Sequence, residues 1–294
     1  MGTPTLLDKI RELTVIAQAM GALGAELRIR QSGTAGDPQV RPALQAVVNS
    51  ISPNLLDGVT PAQAATGISQ LTYALQEALD LIREPARAPG WSYTDPSILQ
   101  ERGRGSGALA TNIANYLRRE RPALAAILQE DCTFLDVGTG AAWIAIEAAK
   151  IWPAMRVVGI DILEPALALA QANIAAAGLA DRISLRLQSV ADLDDERAFD
   201  LVWLPTMFIP RQIVEDTLPR IARAMKSGGI LLFGMFAGGP DAQSETVANL
   251  LTIRCGGHPW KKDEIDACLA ASGFAGGDVI QAGVTTRSVL ARRM

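Results

Sequence analysis

The residues best suited to chemistry fall in one short stretch, Phe134-Leu135-Asp136-Val137-Gly138-Thr139-Gly140-Ala141-Ala142-Trp143. An apolar run feeds a glycine turn, and the turn opens a helical run from Ile144 to Lys150. Glycine permits a tight bend and close approach of a ligand to the backbone, while the N-terminus of the following helix offers N–H groups that have no partner within it. A polar ligand belongs at such a turn. Asp161 closes the next apolar run, Arg156 to Ile160, and lies 21 positions after Gly140. That spacing suits a carboxylate that accepts two ribose hydroxyls at the neighbouring strand tip. Two adjacent strand ends therefore frame a nucleoside.

A dinucleotide site shares these features, but its fingerprint is G-x-G-x-x-G/A. Here Trp143 stands at the third small position, and Asp136 lies two residues before the first glycine. A carboxylate beside the turn instead suits a ligand with a cationic amino-acid portion and no pyrophosphate.

On these motifs, over about residues 100 to 294, the chain resembles the class I S-adenosylmethionine-dependent methyltransferases. Members carry D-x-G-x-G-x-G in the first turn. This sequence reads Asp136-Val137-Gly138-Thr139-Gly140-Ala141-Ala142, with the last glycine replaced by alanine, which is also small. Phe199 to Pro205 resembles the fourth strand of the family, Met225 to Leu232 the turn into its fifth, and Asp263 to Ser272 with Gly273-Phe274 the helix before a final antiparallel strand pair. The resemblance implies that Gly138, Thr139 and Gly140 pass the methionine part of S-adenosyl-L-methionine, with Asp136 near its amino group. Asp161 would bind ribose and Ile162 would pack on adenine. Either Ser189 or Asp192 would meet the adenine amine, and Val190 and Leu204 would complete the cofactor contacts.

The family's acceptor pocket follows its fourth strand. That position holds Leu204 to Pro210, so Thr206, Met207 and Phe208 either line an apolar acceptor site or cover the core. The stretch is not Asn-Pro-Pro-Tyr, which several amine- and base-methylating relatives use, and this argues against a nucleic-acid base as acceptor. Trp91-Ser92-Tyr93-Thr94-Asp95-Pro96 precedes the sheet, where the aromatics, Tyr93 among them, either close over the ligand or pack in a linker. Arg102 and Arg104 are either solvated charges or partners for an anionic acceptor or the cofactor carboxylate. His258, in Gly256-Gly257-His258-Pro259-Trp260, is the only histidine and the candidate general base for a hydroxyl acceptor, with Trp260 beside it as a substrate contact. An imidazole titrates at about 6.5 in water, which suits proton removal. Cys255, His258 and Cys268 fall short of the four ligands of a structural zinc site, so no metal is expected.

The elements that must position these groups follow from periodicity. Residues 5 to 84 are rich in alanine and leucine and lack clusters of β-branched residues. They read as three helices: Thr5 to Arg30, with Leu6, Ile10, Leu13, Ala17, Met20 and Leu27 on one apolar face; about Pro38 to Ser52; and Thr60-Pro61 to Pro85. Three prolines, Pro85, Pro89 and Pro96, mark a linker. Helices resume over Pro96 to Arg119 and Pro122 to Gln129. Short apolar runs then alternate with helical stretches: Thr133 to Val137, Val157 to Ile160, Ile183 to Leu187, Leu201 to Leu204, Ile230 to Phe233, Asp278 to Ile280 and Ser288 to Ala291. This is the pattern of an α/β fold. The expected architecture is a doubly wound, Rossmann-like, mostly parallel seven-stranded sheet with an antiparallel C-terminal strand over 96–294. An all-helical N-terminal domain over 1–95 would serve oligomerisation or cover the substrate.

Lysines and arginines number 27 against 31 aspartates and glutamates, a net charge of −4, without the basic excess that a nucleic-acid binder needs. Three cysteines with no CxxC pair fit a reducing compartment. No run reaches the ~18 apolar residues of a membrane span and none has the form of a signal peptide. A cytoplasmic enzyme is expected, acting on a small apolar or aromatic acceptor without nucleic acid or membrane, and forming a homodimer through the N-terminal helices. Oxygen is the favoured acceptor atom, carbon or nitrogen the alternative. An inactive S-adenosylmethionine binder and a nicotinamide oxidoreductase are the rival classes.

Overall fold

The computed structural model describes residues 5–91, 93–239, 241–283 and 285–294, without the Arg102 side chain. Ser92 and the Arg102 guanidinium, both named above, lie outside the described residues. The chain divides between Arg87 and Ala88 into two compact units. This is eight residues before the expected boundary at 95/96, because segment 88–95 is tied into the second unit. The Gly90 N–H donates to Arg254 O at 3.0 Å, and Trp91 meets the Phe208 ring edge-on at 5.0 Å.

The first unit holds α1 (Leu6–Ser32), α2 (Val40–Ile51) and α3 (Pro61–Arg83). Both long helices start on a threonine cap. The Asp8 N–H donates to Thr5 Oγ1 and the Gln63 N–H to Thr60 Oγ1, each at 3.2 Å, and each cap is closed reciprocally by the third helical residue. Leu27, Val48, Leu56, Ala64 and Ile68 form its small core. The apolar face expected along α1 is buried only in its C-terminal half. Leu6, Ile10 and Leu13 are exposed, because the partners from α2 and α3 reach only the turns around Leu23 and Leu27.

The second unit begins with α4 (Pro96–Ser106), α5 (Ala108–Glu120) and α6 (Pro122–Ile127). The single helix expected over Pro96 to Arg119 is interrupted at Gly107. There the backbone lies so close to the next layer that an added Cβ would stand 3.0 Å from Glu147 Cγ. The sheet strands are β1 (Thr133–Val137), β2 (Arg156–Asp161), β3 (Ile183–Leu187), β4 (Phe199–Pro205), β5 (Met225–Phe236), β6 (Phe274–Gln281) and β7 (Thr286–Arg293). Between them run α7 (Trp143–Ile151), α8 (Glu164–Ala176), α9 (Arg211–Ala224), α10 (Ala242–Arg254) and α11 (Lys262–Ala271).

The strand order is β3-β2-β1-β4-β5-β7-β6, with parallel pairing from β3 to β5 and antiparallel pairing of β7 to both β5 and β6. Period-two alternation sends neighbours to opposite faces. Phe134 and Trp203 join the core under α5, α7 and α8, while Leu135 and Val202 join the one under α9 and α11. Both faces are covered, so the strands read as continuous apolar runs. At the outer margin, β6 carries a bulge between Gly276 and Asp278, and Asp278 pairs with Arg121.

Candidate active site

The order reverses at β1, whose neighbours β2 and β4 leave in opposite directions, and such switch points open a crevice at the carboxyl ends of the strands. Gly138 and Gly140 have φ of 64° and 55°, so the turn after β1 needs glycine at both positions. Ala142 also has a φ of 64°. The missing third glycine of the motif is therefore a matter of backbone conformation rather than size, and an L-residue there stores about 1–2 kcal/mol of strain.

Asp136 lies beneath the turn and is wholly buried. Its Oδ2 accepts from Thr139 Oγ1 at 2.8 Å, and its Oδ1 has no hydrogen-bond partner. Burial pushes this carboxyl up to about 7 and Asp161 adds to the rise, against the lowering effects of the Thr139 hydroxyl and the Ala145 amide. Asp161 at the β2 tip is nearly buried. Its Oδ2 accepts from the Gly140 amide at 2.8 Å and its Oδ1 from the Leu163 amide at 2.9 Å. Burial raises its pKa while the Leu163, Gly140 and Ile162 amides oppose the rise. One carboxylate thus fastens the β1–α7 and β2–α8 loops together.

Ile162 leaves its side chain in solvent, 70% exposed. The Gln188 amide donates to Asp161 O at 2.9 Å, which brings the β3 tip alongside. Ser189 Oγ accepts from the Ala191 amide at 3.2 Å and caps a short 3-10 turn, Val190–Asp192, in which Val190 is buried and Asp192 exposed. Leu204 departs from its expected place. It is wholly buried in the core under α9, because its position on β4 faces that layer.

The β4 and β5 tips carry a different set. Thr206 is buried and donates to Gly234 O at 2.8 Å, and Met207 is buried beside it. Half-buried rings run Tyr93, Trp91, Phe208 and Phe236, each edge-on to the next at 5.1, 5.0 and 5.7 Å between centroids. A small cavity is lined by Thr206, Met207, Phe236, Asn249, His258 and Trp260, among others. The His258 loop reaches the β4 tip because Gly257 has no side chain, and an added Cβ would collide with Met207 O. His258 Nε2 lies 3.4 Å from Glu264 Oε2 and 3.3 Å from Arg211 Nη1. Arg104 holds its guanidinium over the Trp143 ring, 5.8 Å from the centroid, beside the glycine turn. Trp91 belongs to the aromatic stretch before the sheet, while no motif points to Phe236, Arg211 or Glu264, which come from three separate segments. For Glu264 the available signal is its place as third residue of a helix shortly after the only histidine.

A family model described as a methyltransferase domain matches residues 134–229, which span the glycine turn, Asp161 and β4. Over those residues the chain is similar to methyltransferase domains. Among curated proteins, the release factor glutamine methyltransferase of Rhodopirellula baltica is 35% identical over 120 residues, covering 40% of this chain and 38% of that protein. The chain spans well under half the length of the curated relatives it matches. Among solved structures, the mitomycin 7-O-methyltransferase MmcR is 19% identical with a TM-score of 0.61, covering 98% of this chain and 97% of that one. Human N-acetylserotonin methyltransferase in complex with SAM is 14% identical with a TM-score of 0.61, covering 100% and 99%. At these identities the likeness is one of fold. No helix among the described residues is long and apolar enough to cross a membrane.

Proposed function

We propose that the protein moves a methyl group from S-adenosylmethionine to a hydroxyl of a small, flat, apolar or aromatic acceptor. The observation that carries the reading is the buried Asp136 oxygen without a partner, set beneath a glycine turn in a methyltransferase domain. A buried carboxylate in that state calls for a cation, and the cofactor's ammonium is one. When bound, S-adenosylmethionine supplies a methyl carbon made electrophilic by its sulfonium.

The chain's part is to hold and orient. Asp136, Gly138, Thr139 and Gly140 receive the amino-acid end. Asp161 keeps lone pairs for the ribose hydroxyls, and Ile162 and Val190 flank adenine, whose amine meets Ser189 or Asp192. Tyr93, Thr206, Met207, Phe208 and Trp260 seat the acceptor, and His258 takes its proton. Orientation of this kind supplies up to about 7–11 kcal/mol in well-aligned systems, and a placed base roughly 10²–10⁴-fold.

The half-buried aromatic row favours a planar acceptor over the glutamine side chain named for the Rhodopirellula relative. The exposed Leu6, Ile10 and Leu13 on α1 support a homodimer through the N-terminal helices, and the free cysteines fit the cytoplasm. Incubation with methyl-labelled cofactor and a panel of phenols, carboxylic acids and amines, read by mass spectrometry, tests the function. Label should pass to phenolic oxygen. Transfer to amines alone, or calorimetric binding of NAD in place of S-adenosylmethionine, overturns the reading.

A further inference from the structure

A second cavity lies at the opposite end of β7 from the candidate active site. It is an open pocket of about 420 Å³ between the α5–α6 junction, residues 120–124, and the outer strands β6 and β7. Arg292 in its wall pairs with Ile230 in the first half of β5, whereas Phe236 of the acceptor side pairs with Thr286. At about 3.3 Å per residue, six residues of strand set the two roughly 20 Å apart.

Alternation along β7 builds the pocket. Leu290 is buried in the core under α5, α7 and α8, and Arg292, two residues on, takes the same face where that core ends. The apolar surface comes from Pro122, Ala123, Leu124 and Leu290, and no aromatic ring lines it, unlike the row from Tyr93 to Phe236.

The charges of the wall leave one unmatched. Arg121 donates to Asp278 at 2.5 Å, and the Glu120 carboxylate accepts from Arg119 at 2.7 Å. Arg292 is half-buried, and its Nε is fully covered with no hydrogen-bond partner among the described residues. Its Nη2 packs against the β5 backbone, where an added Cβ on Gly228 would stand 3.0 Å away. A covered N–H without an acceptor costs free energy that an incoming acceptor removes. The planar fork of a guanidinium matches a carboxylate in two parallel hydrogen bonds. One unmatched positive charge balances a monoanion, whereas a phosphate dianion would bring a second negative charge that no group in the wall offsets.

We propose that this pocket binds a short aliphatic monocarboxylate, its carboxylate on Arg292 and its chain over Leu124 and Leu290. The site is separate from the positions assigned to cofactor and acceptor.

The probe is hexanoate, with hexanamide as its uncharged counterpart, each titrated into the whole chain and followed by ligand-detected NMR. Wild type should bind hexanoate about tenfold or more tightly than hexanamide. Arg292→Met keeps the bulk of the side chain without its charge and should weaken hexanoate by about the same factor. Ala123→Phe fills the pocket from an exposed position, so it should abolish binding with an unchanged melting temperature, whether or not the Arg292 variant folds. Phe208→Ala, on the acceptor side, should bind hexanoate as wild type does. Absence of hexanoate binding, equal binding of hexanamide, or unaltered binding in either pocket variant overturns the proposal. So does loss of binding in Phe208→Ala, which would move the ligand to the acceptor side. None of these readouts involves methyl transfer, so the reading of the active site stands or falls separately.

Discussion

The two sides of the crevice are built on opposite plans. At the β1 and β2 tips, polar groups from residues 136 to 163 satisfy one another through short local bonds, and one buried oxygen is left over. At the β4 and β5 tips the side chains arrive from segment 88–95, β5, α9, α10 and the loop before α11, and they leave rings half-exposed and charges paired across elements. The first plan suits the cofactor end of the proposed reaction, where one ligand is to be held in one pose. The second can be altered piece by piece, which suits the proposed choice of acceptor.

Substitutions can separate these plans. Asp161→Ala removes the acceptor of two buried amides as well as the proposed ribose contact. Cofactor affinity should fall by about 1.5–3 kcal/mol, with a lower unfolding temperature. Titration calorimetry and thermal melts check both, and an unaltered dissociation constant removes Asp161 from the site. Asp136→Asn should weaken the cofactor about tenfold by taking away the charge that meets the ammonium. The same change should stabilise the free protein in alkali. With its folded pKa raised to about 7 from an ordinary 3.8, Asp136 contributes stability that is complete below about pH 4 and is lost as pH climbs through 7. The asparagine variant should therefore melt above wild type at pH 8 and lose that advantage on acidification. On the other side, Phe208→Ala should raise the acceptor KM about 3- to 10-fold through loss of its ring contacts. Its cofactor affinity should not change, and a cofactor defect there would erase the division between the two sides.

The same contrast explains what could be read in advance. The glycine turn, Asp136 and Asp161 are close in sequence or one strand apart, so their types and spacing carry the site, and the seven apolar runs carry the strands. The burial of Leu204 is not legible, because position along a strand does not reveal which face a residue takes; its neighbour Trp203 faces the other layer. The apolar stripe of α1 was legible as a stripe, but not the fact that its partners cover only half of it. Glu264 and Arg211 reach His258 only through the packing of α9 against α11, and no local pattern announces that. Ala142 is the converse case. Its departure from the family motif is visible in the sequence, while the left-handed backbone it adopts is not.

The bulge in β6 bears on behaviour in concentrated solution. A terminal strand offers a row of unpaired amides and carbonyls on which another molecule's strand can add, the first step toward filaments. Here Gly276 and Gly277, both at positive φ, break that row part-way along, and the Arg121–Asp278 pair sets charge beside the break. Aggregation by edge-to-edge stacking is thereby discouraged at the margin where the sheet would otherwise continue.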